Sequence, residues 1–169
     1  TDLEHTYYAL WNANGEGANG SYWLSEILGR VRGETAADIA VTLHPRDFPA
    51  HPDDPTATRL LDPGSFRWEN PLDMFFGGSG TAWLEIRSSE PLDFSDGYTF
   101  NQAQDGTRQG QAGPIIDASS IATDPRFARA GDVLNFEMYG REPDVPEGSH
   151  RENWLMFIPP ESGTVRLDY

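Results

Sequence analysis

The sequence predicts an all-β protein, a single antiparallel jelly-roll sandwich or barrel over residues 1–169, with long loops and at most one or two short helices. Three observations carry this. Apolar and polar residues alternate with a period of two in several separate stretches, the mark of half-buried strands. The 17 Gly and 13 Pro are spread along the whole sequence, so turns are frequent and helices short. A length of 169 residues suits one good core and leaves little room for a second.

Taken in order, "HTYYALW" (5–11) reads as a strand buried on both faces. "WNANGEGANGSYW" (11–23) follows, where Gly15-x-Gly17-x-x-Gly20 has the spacing of a dinucleotide-binding loop. Such a loop needs a strand, a glycine turn, a helix and then a strand ending in an acidic residue. The next strand, "DIAVTL" (38–43), is instead followed by His44, no βαβ alternation comes after it, and Glu16 would sit among the phosphates. Asn14-Gly15 and Asn19-Gly20 are turn dipeptides, because both residue types tolerate positive φ, so the stretch reads as a turn. "SYWLSEILGRVR" (21–32) reads as a helix, with Trp23, Ile27 and Val31 recurring every four residues around an interrupting Gly29.

In "DIAVTL", Ile39, Val41 and Leu43 line one face of a strand, and the four prolines of "HPRDFPAHPDDP" (44–55) make the next stretch an extended loop. "TAWLEIR" (81–87) sets Ala82, Leu84 and Ile86 against Trp83, Glu85 and Arg87. "GSFRWE" (64–69) and "YTFNQ" (98–102) are weaker strands. "NPLDMFFGGSG" (70–80), "QDGTRQGQAG" (104–113) and "REPDVPEGSHREN" (141–153) read as connections, and "DPRFARAG" (124–131) as a turn of helix. "VLNFEMY" (133–139), "NWLMFIP" (153–159) and "TVRLDY" (164–169) complete the strands. Long, uneven loops favour a jelly roll over the tighter immunoglobulin sandwich.

Charge excludes several classes of function. The chain has 27 acidic and 12 basic residues, a formal charge of −15, and every basic residue is Arg. A GC-rich genome would favour Arg codons. A saturated-salt habitat would favour both features, since at molar salt the Debye length is ~3 Å and a dense acidic surface no longer repels itself. Phosphate-backbone binding needs clustered cations, and here the Arg residues are scattered. Without cysteine there is no disulfide, thiolate metal site or thiol nucleophile. No apolar run approaches the ~20 residues of a membrane-spanning helix. No charged-then-apolar leader is visible, so any signal peptide is expected to have been removed already.

Candidate chemistry is thin. His44, Asp47, His51, Asp53 and Asp54 crowd one loop, but their spacing matches no zincin or cupin and the prolines hold them apart; a solvated acidic loop is expected. Asp93, Asp96 and Asp105 could help hold calcium, though no EF-hand repeat accompanies them. Gly77-Gly78-Ser79-Gly80 is no nucleophile elbow and reads as a flexible loop. Trp68 and Trp83 could form a sugar-stacking platform, with core or interface packing the commoner fate of such rings. No catalytic, cofactor-binding or metal residue is assigned.

In size, composition and strand content, the whole chain resembles the small major capsid proteins of haloarchaeal icosahedral viruses with an internal membrane, the sphaerolipovirus type. The resemblance rests on architecture and on no diagnostic motif. It implies a single jelly roll standing upright in a shell, a virion location, and like or sister subunits as partners. It also implies proximity to an internal membrane without spanning it, no direct nucleic acid and no small-molecule substrate. Loops 44–55 and 141–153 would then mediate contacts. The alternative is a secreted carbohydrate- or ligand-binding β-sandwich module, with a β-barrel enzyme a further possibility.

Overall fold

Alternation along the sequence becomes strand upon strand in space. The computed structural model describes residues 2–46, 50–113, 115–121 and 123. Its contacts divide the chain into two units, Thr1–Phe127 and Ala128–Tyr169. The helical turn expected at 124–131, the strands expected at 133–139, 153–159 and 164–169, and the loop at 141–153 lie outside the described residues.

The first unit contains β1 (His5–Glu16), β2 (Tyr22–Val31), β3 (Ala37–Pro45), β4 (Thr56–Leu61), β5 (Gly64–Glu69), β6 (Gly80–Ser88), β7 (Leu92–Gln102), β8 (Arg108–Gly113) and β9 (Ile115–Asp117). One short helix, α1 (Pro71–Phe76), joins β5 to β6. Every pairing is antiparallel, in the order β4-β3-β6-β1-β2-β7-β8, with β5 also beside β2 and β9 also beside β1. Among the described residues the expected all-β sandwich with only short helices is what the structure shows.

The sandwich is made at the β1–β2 corner. These strands pair only from Asn14–Leu24 to Glu16–Tyr22. Beyond that corner β1 takes β9 as its second neighbour and β2 takes β5. The result is two layers, β4-β3-β6-β1-β9 and β5-β2-β7-β8. Tyr7 of β1 bridges them: its hydroxyl accepts from the Leu92 N–H at 2.8 Å and its ring meets Phe94 edge-on at 5.1 Å. At the corner the Ser25 hydroxyl replaces a lost ladder bond by accepting from the Ala13 N–H at 2.8 Å. The core between the layers includes Ile27, Val41, Trp68, Leu72, Leu84 and Ile86, none more than 1% exposed.

The helix expected at 21–32 is wrong: this segment is β2. A spacing of four is also twice two, so Trp23, Ile27 and Val31 share one face of a strand as readily as of a helix. The positions between them, Ser25 and Gly29, are buried as well but carry no large apolar side chain to reveal the alternation. Gly29 has a packing role, since a Cβ there would lie 2.6 Å from Phe66 Cζ and 2.9 Å from the Asp93 carbonyl oxygen. The connections expected at 70–80 and 104–113 contain α1 and β8, and β4 was not anticipated. β8 is rich in Gly and Gln, and most of β4 is exposed, so neither shows a buried alternating face.

Asn19-Gly20 lies at the tip of the β1–β2 hairpin, as the turn reading requires, but Asn14-Gly15 does not turn: both residues are in β1, Asn14 opposite Leu24 and Gly15 opposite Trp23, because the chain reverses only after Glu16. A 3-10 turn over Ala18–Gly20 places Asn19 at φ 56° and Gly20 at φ 72°, both left-handed. It is closed by Gly17 N–H to the Ser21 carbonyl at 2.8 Å.

Candidate functional site

Register decides which side chains share the outward face of the β4-β3-β6-β1 layer, because residues directly opposite one another point the same way. The row Tyr7–Ile86–Val41 is buried and faces the second layer. The next row, Tyr8–Glu85–Thr42–Thr56, therefore faces outward, with His44 opposite Trp83 one step along. Five chemically capable side chains meet there: Tyr8 of β1, His44 of β3, Trp83 and Glu85 of β6, and Asp54 from the segment before β4.

His44 is the centre of the group. It belongs to the outward row yet is only 4% exposed, with Trp83 stacked on its ring and Asp54 against its Nδ1. The imidazole stacks on Trp83 with centroids 3.8 Å apart and planes 20° from parallel. Its Nδ1 lies 2.6 Å from Asp54 Oδ2, and its Nε2 lies 3.8 Å from Glu85 Oε2 with no hydrogen-bond partner. Burial pushes the Asp54 carboxyl up, but the His51 backbone N–H and the His44 ring outweigh this and hold it below its usual value. An ionised Asp54 can only accept, so Nδ1 carries the proton and donates. Trp83 leans on Tyr8 at 6.2 Å, and the Tyr8 phenol is raised by burial and then by the Glu85 charge.

An aspartate that orients an imidazole is the supporting half of a general-base arrangement, and a base needs a proton to take within hydrogen-bond reach. The Thr42 and Thr56 hydroxyls on this face are engaged with each other at 2.9 Å. The Nε2 is sealed from solvent beside a carboxylate. What the arrangement does mechanically is plain: Asp54, tied to the strand through His44, fastens the end of the loop to the sheet.

The sequence grouped His44, Asp47, His51, Asp53 and Asp54 by their closeness along the chain. The structure joins His44 to Asp54, and Asp54 to the His51 N–H at 2.8 Å, while His51 and Asp53 sit out in a solvent-exposed turn. Asp47 lies outside the described residues. Among the described residues no three His, Asp or Glu side chains come together as a metal would require. The calcium trio does not converge. Asp93 pairs with Arg32 at the start of β7, whereas Asp105 caps the Thr107 N–H beyond its other end, roughly 30 Å of strand away at ~3.3 Å per residue. Gly78 and Gly80 lie beside Asn14 at the corner. Trp68 is core, at 1% exposure, and Trp83 is on the outward face. Sequence reasoning missed Glu85 and Tyr8 as companions of His44. Glu85's outward parity was visible, but Tyr8's was not: 5–11 was expected to be buried on both faces, whereas Tyr7 and Ala9 are buried and Tyr8 between them is half-buried. The β3–β6 and β6–β1 registers that bring the two to His44 were not legible.

A narrow cavity between β1, β7 and β8, lined by Trp11, Asn12, Ile27, Gly97 and Tyr98, has a volume of about 10 Å³, room for about one water.

No family model matches the chain, and no curated protein matches it. A solved structure similar to it is the crystal structure of Thermotoga maritima 1070, at 11% identity and a TM-score of 0.49, over 68% of this chain and 96% of that one.

Proposed function

We propose that the chain is a structural subunit, acting by lateral contact with copies of itself or with a sister β-sandwich, and that no catalytic step is involved. The observation that supports this is β4. Among the described residues it is a sheet edge, paired with β3 alone and with no strand beside its other side. Its outward residues Thr56, Thr58 and Leu60 are exposed, Leu60 to 63%. Arg59, the one charge on this edge, turns inward over the Phe75 ring at 5.9 Å, and the outward row carries no lysine or proline to blunt it. The viral shell implied by the resemblance is the specific assembly we propose, with brine lowering the cost of apposing acidic flanks.

The test is mass by light scattering across a salt series, with Leu60→Lys as the interrupting variant. Concentration-dependent oligomers that the variant abolishes support the reading. A chain monomeric at every salt, alone and with a sister sandwich, overturns it.

The second reading is a ligand-binding module, and it has its own observation. Tyr8 and Trp83 are half-buried neighbours on a sheet face that also carries Glu85 and Arg87, the mixture of flat rings and polar groups that grips a sugar. Retention on a polysaccharide column that Trp83→Ala removes, in a monomeric chain, would make this the better account.

A further inference from the structure

The β1–β2 hairpin holds two Asn-Gly pairs five residues apart, Asn14-Gly15 in the strand and Asn19-Gly20 at the tip, identical as dipeptides and opposite in surroundings. We propose that Asn19 is a site of spontaneous deamidation in the native protein and that Asn14 is shielded from the same reaction by the fold.

The step involves only groups of the chain and water. The backbone nitrogen of the following glycine attacks the asparagine side-chain carbonyl carbon. A C–N bond forms, the bond from that carbon to Nδ2 breaks, and ammonia leaves with the proton the glycine nitrogen gives up. The resulting succinimide takes up one water and opens to aspartate or isoaspartate, with no oxidant or reductant. A glycine on the C-terminal side is required for speed, because it has no side chain to block the approach, and both pairs satisfy this.

What separates them is the ability to reach the ring-closing geometry. Asn19 is exposed, sits in the left-handed region at φ 56° and ψ 32°, and its side chain makes no hydrogen bond among the described residues. The turn around it is a single stretch of 3-10 helix, whose bonds are poorly aligned and open locally at little cost. Asn14 is 5% exposed and held at both ends. Its Nδ2 donates to the Gly78 carbonyl at 2.6 Å, and its Oδ1 accepts from the Tyr22 hydroxyl at 3.0 Å and from Asn70 Nδ2 at 2.9 Å. Residue 14 is also paired on both sides, with Leu24 of β2 and Gly80 of β6. Rotation of its amide toward Gly15 must wait until these bonds and the local pairing break.

The consequences differ as much as the rates. Conversion at Asn19 adds one negative charge at a hairpin tip that already carries Glu16, and disturbs no side-chain contact. Conversion at Asn14 would replace the donor facing Gly78 with a second acceptor.

The experiment ages the folded full-length chain at mildly alkaline pH and maps aspartate and isoaspartate by peptide mass spectrometry, beside the same chain in denaturant. We expect Asn19 to convert at least about tenfold faster than Asn14 in the folded chain, because opening at Asn14 must first break three side-chain hydrogen bonds. In denaturant the two rates should come together. Asn19→Gly, which also accepts φ 56°, should remove the tip signal without shifting the unfolding midpoint. The proposal is overturned if Asn14 keeps pace with Asn19 in the folded chain, or if folding slows Asn19 about tenfold.

Discussion

Replacing Asn14 by Ala should loosen the whole corner of the sandwich. The Asn14 amide is the meeting point of β1, β2 through Tyr22, and the segment from Asn70 to Gly78 that carries α1. Truncation leaves three groups unpaired. The Tyr22 side is 39% exposed and water can replace its partner, so its loss counts for little. The Gly78 carbonyl and the Asn70 amide are half-buried, and a polar group stranded away from water costs about 1–3 kcal/mol. With partial rescue by solvent, the sum is about 2–3 kcal/mol. For a unit of this size roughly 3–5 °C accompanies each kcal/mol, so the melting midpoint should fall by about 6–15 °C. Urea titration followed by Trp fluorescence gives the free energy directly, and its slope reports whether the cooperative unit is unchanged. Asn14→Asp sharpens the test, since it keeps the acceptor and the shape but turns an oxygen toward the Gly78 oxygen. At neutral pH it should be no more stable than the Ala variant. A loss below about 1 kcal/mol for Asn14→Ala, at unchanged slope, would refute the hub.

Three further expectations follow from other parts of the molecule. Gly29→Ala should cost about 1–3 kcal/mol by overpacking against Phe66 and the Asp93 carbonyl, and a neutral urea midpoint would show that β2 can shift to make room. Asp54 has a folded pKa below its unfolded value, so its ionisation stabilises the fold above the unfolded value, about pH 4, and that stabilisation is lost as pH falls through the folded one. The stability gap between the wild type and Asp54→Asn should therefore close on acidification; a gap that persists undiminished at the acid end would show that the carboxylate charge is not what holds the loop. A formal charge of −15 predicts an unfolding midpoint that rises between about 0.1 M and 3 M salt, and circular dichroism showing no rise would remove the halophile argument.

The elements legible in the sequence were those with one face buried and one in water. β6 shows this directly: Ala82, Leu84 and Ile86 are buried while Glu85 and Arg87 are not. β2 was misread because small and polar residues occupy half of its buried row. At Ser25 the fold needs a hydroxyl to bond Ala13 and Thr99, and at Gly29 it needs the absence of a side chain, so tertiary demands erased the local pattern. β4 and β8 were missed because they are edges, exposed along most of their length and under little pressure to alternate. The His44–Asp54 link lay within reach, the two being ten residues apart, one at the end of β3 and the other just before β4. Trp83 and Glu85 were beyond it, because they come from about forty residues further along and only the β3–β6 register brings them to the imidazole.

The pairing of β1 has a consequence for how the chain is made. His5 pairs with Ser88, and Tyr7 pairs with Asp117, so the two long-range neighbours of β1 exist only after about 80 and about 110 more residues have been added. At ~5–20 residues per second a ribosome needs ~5–20 s to supply them. Through that interval a strand carrying Tyr7, Tyr8 and Trp11 has no partner along most of its length, whatever β2 does at the hairpin tip. Among the described strands β1 is thus the first to be synthesised and among the last to be satisfied. Closure of the first layer waits on residue 117, and a chain held, exported or cut before that point keeps an adhesive end.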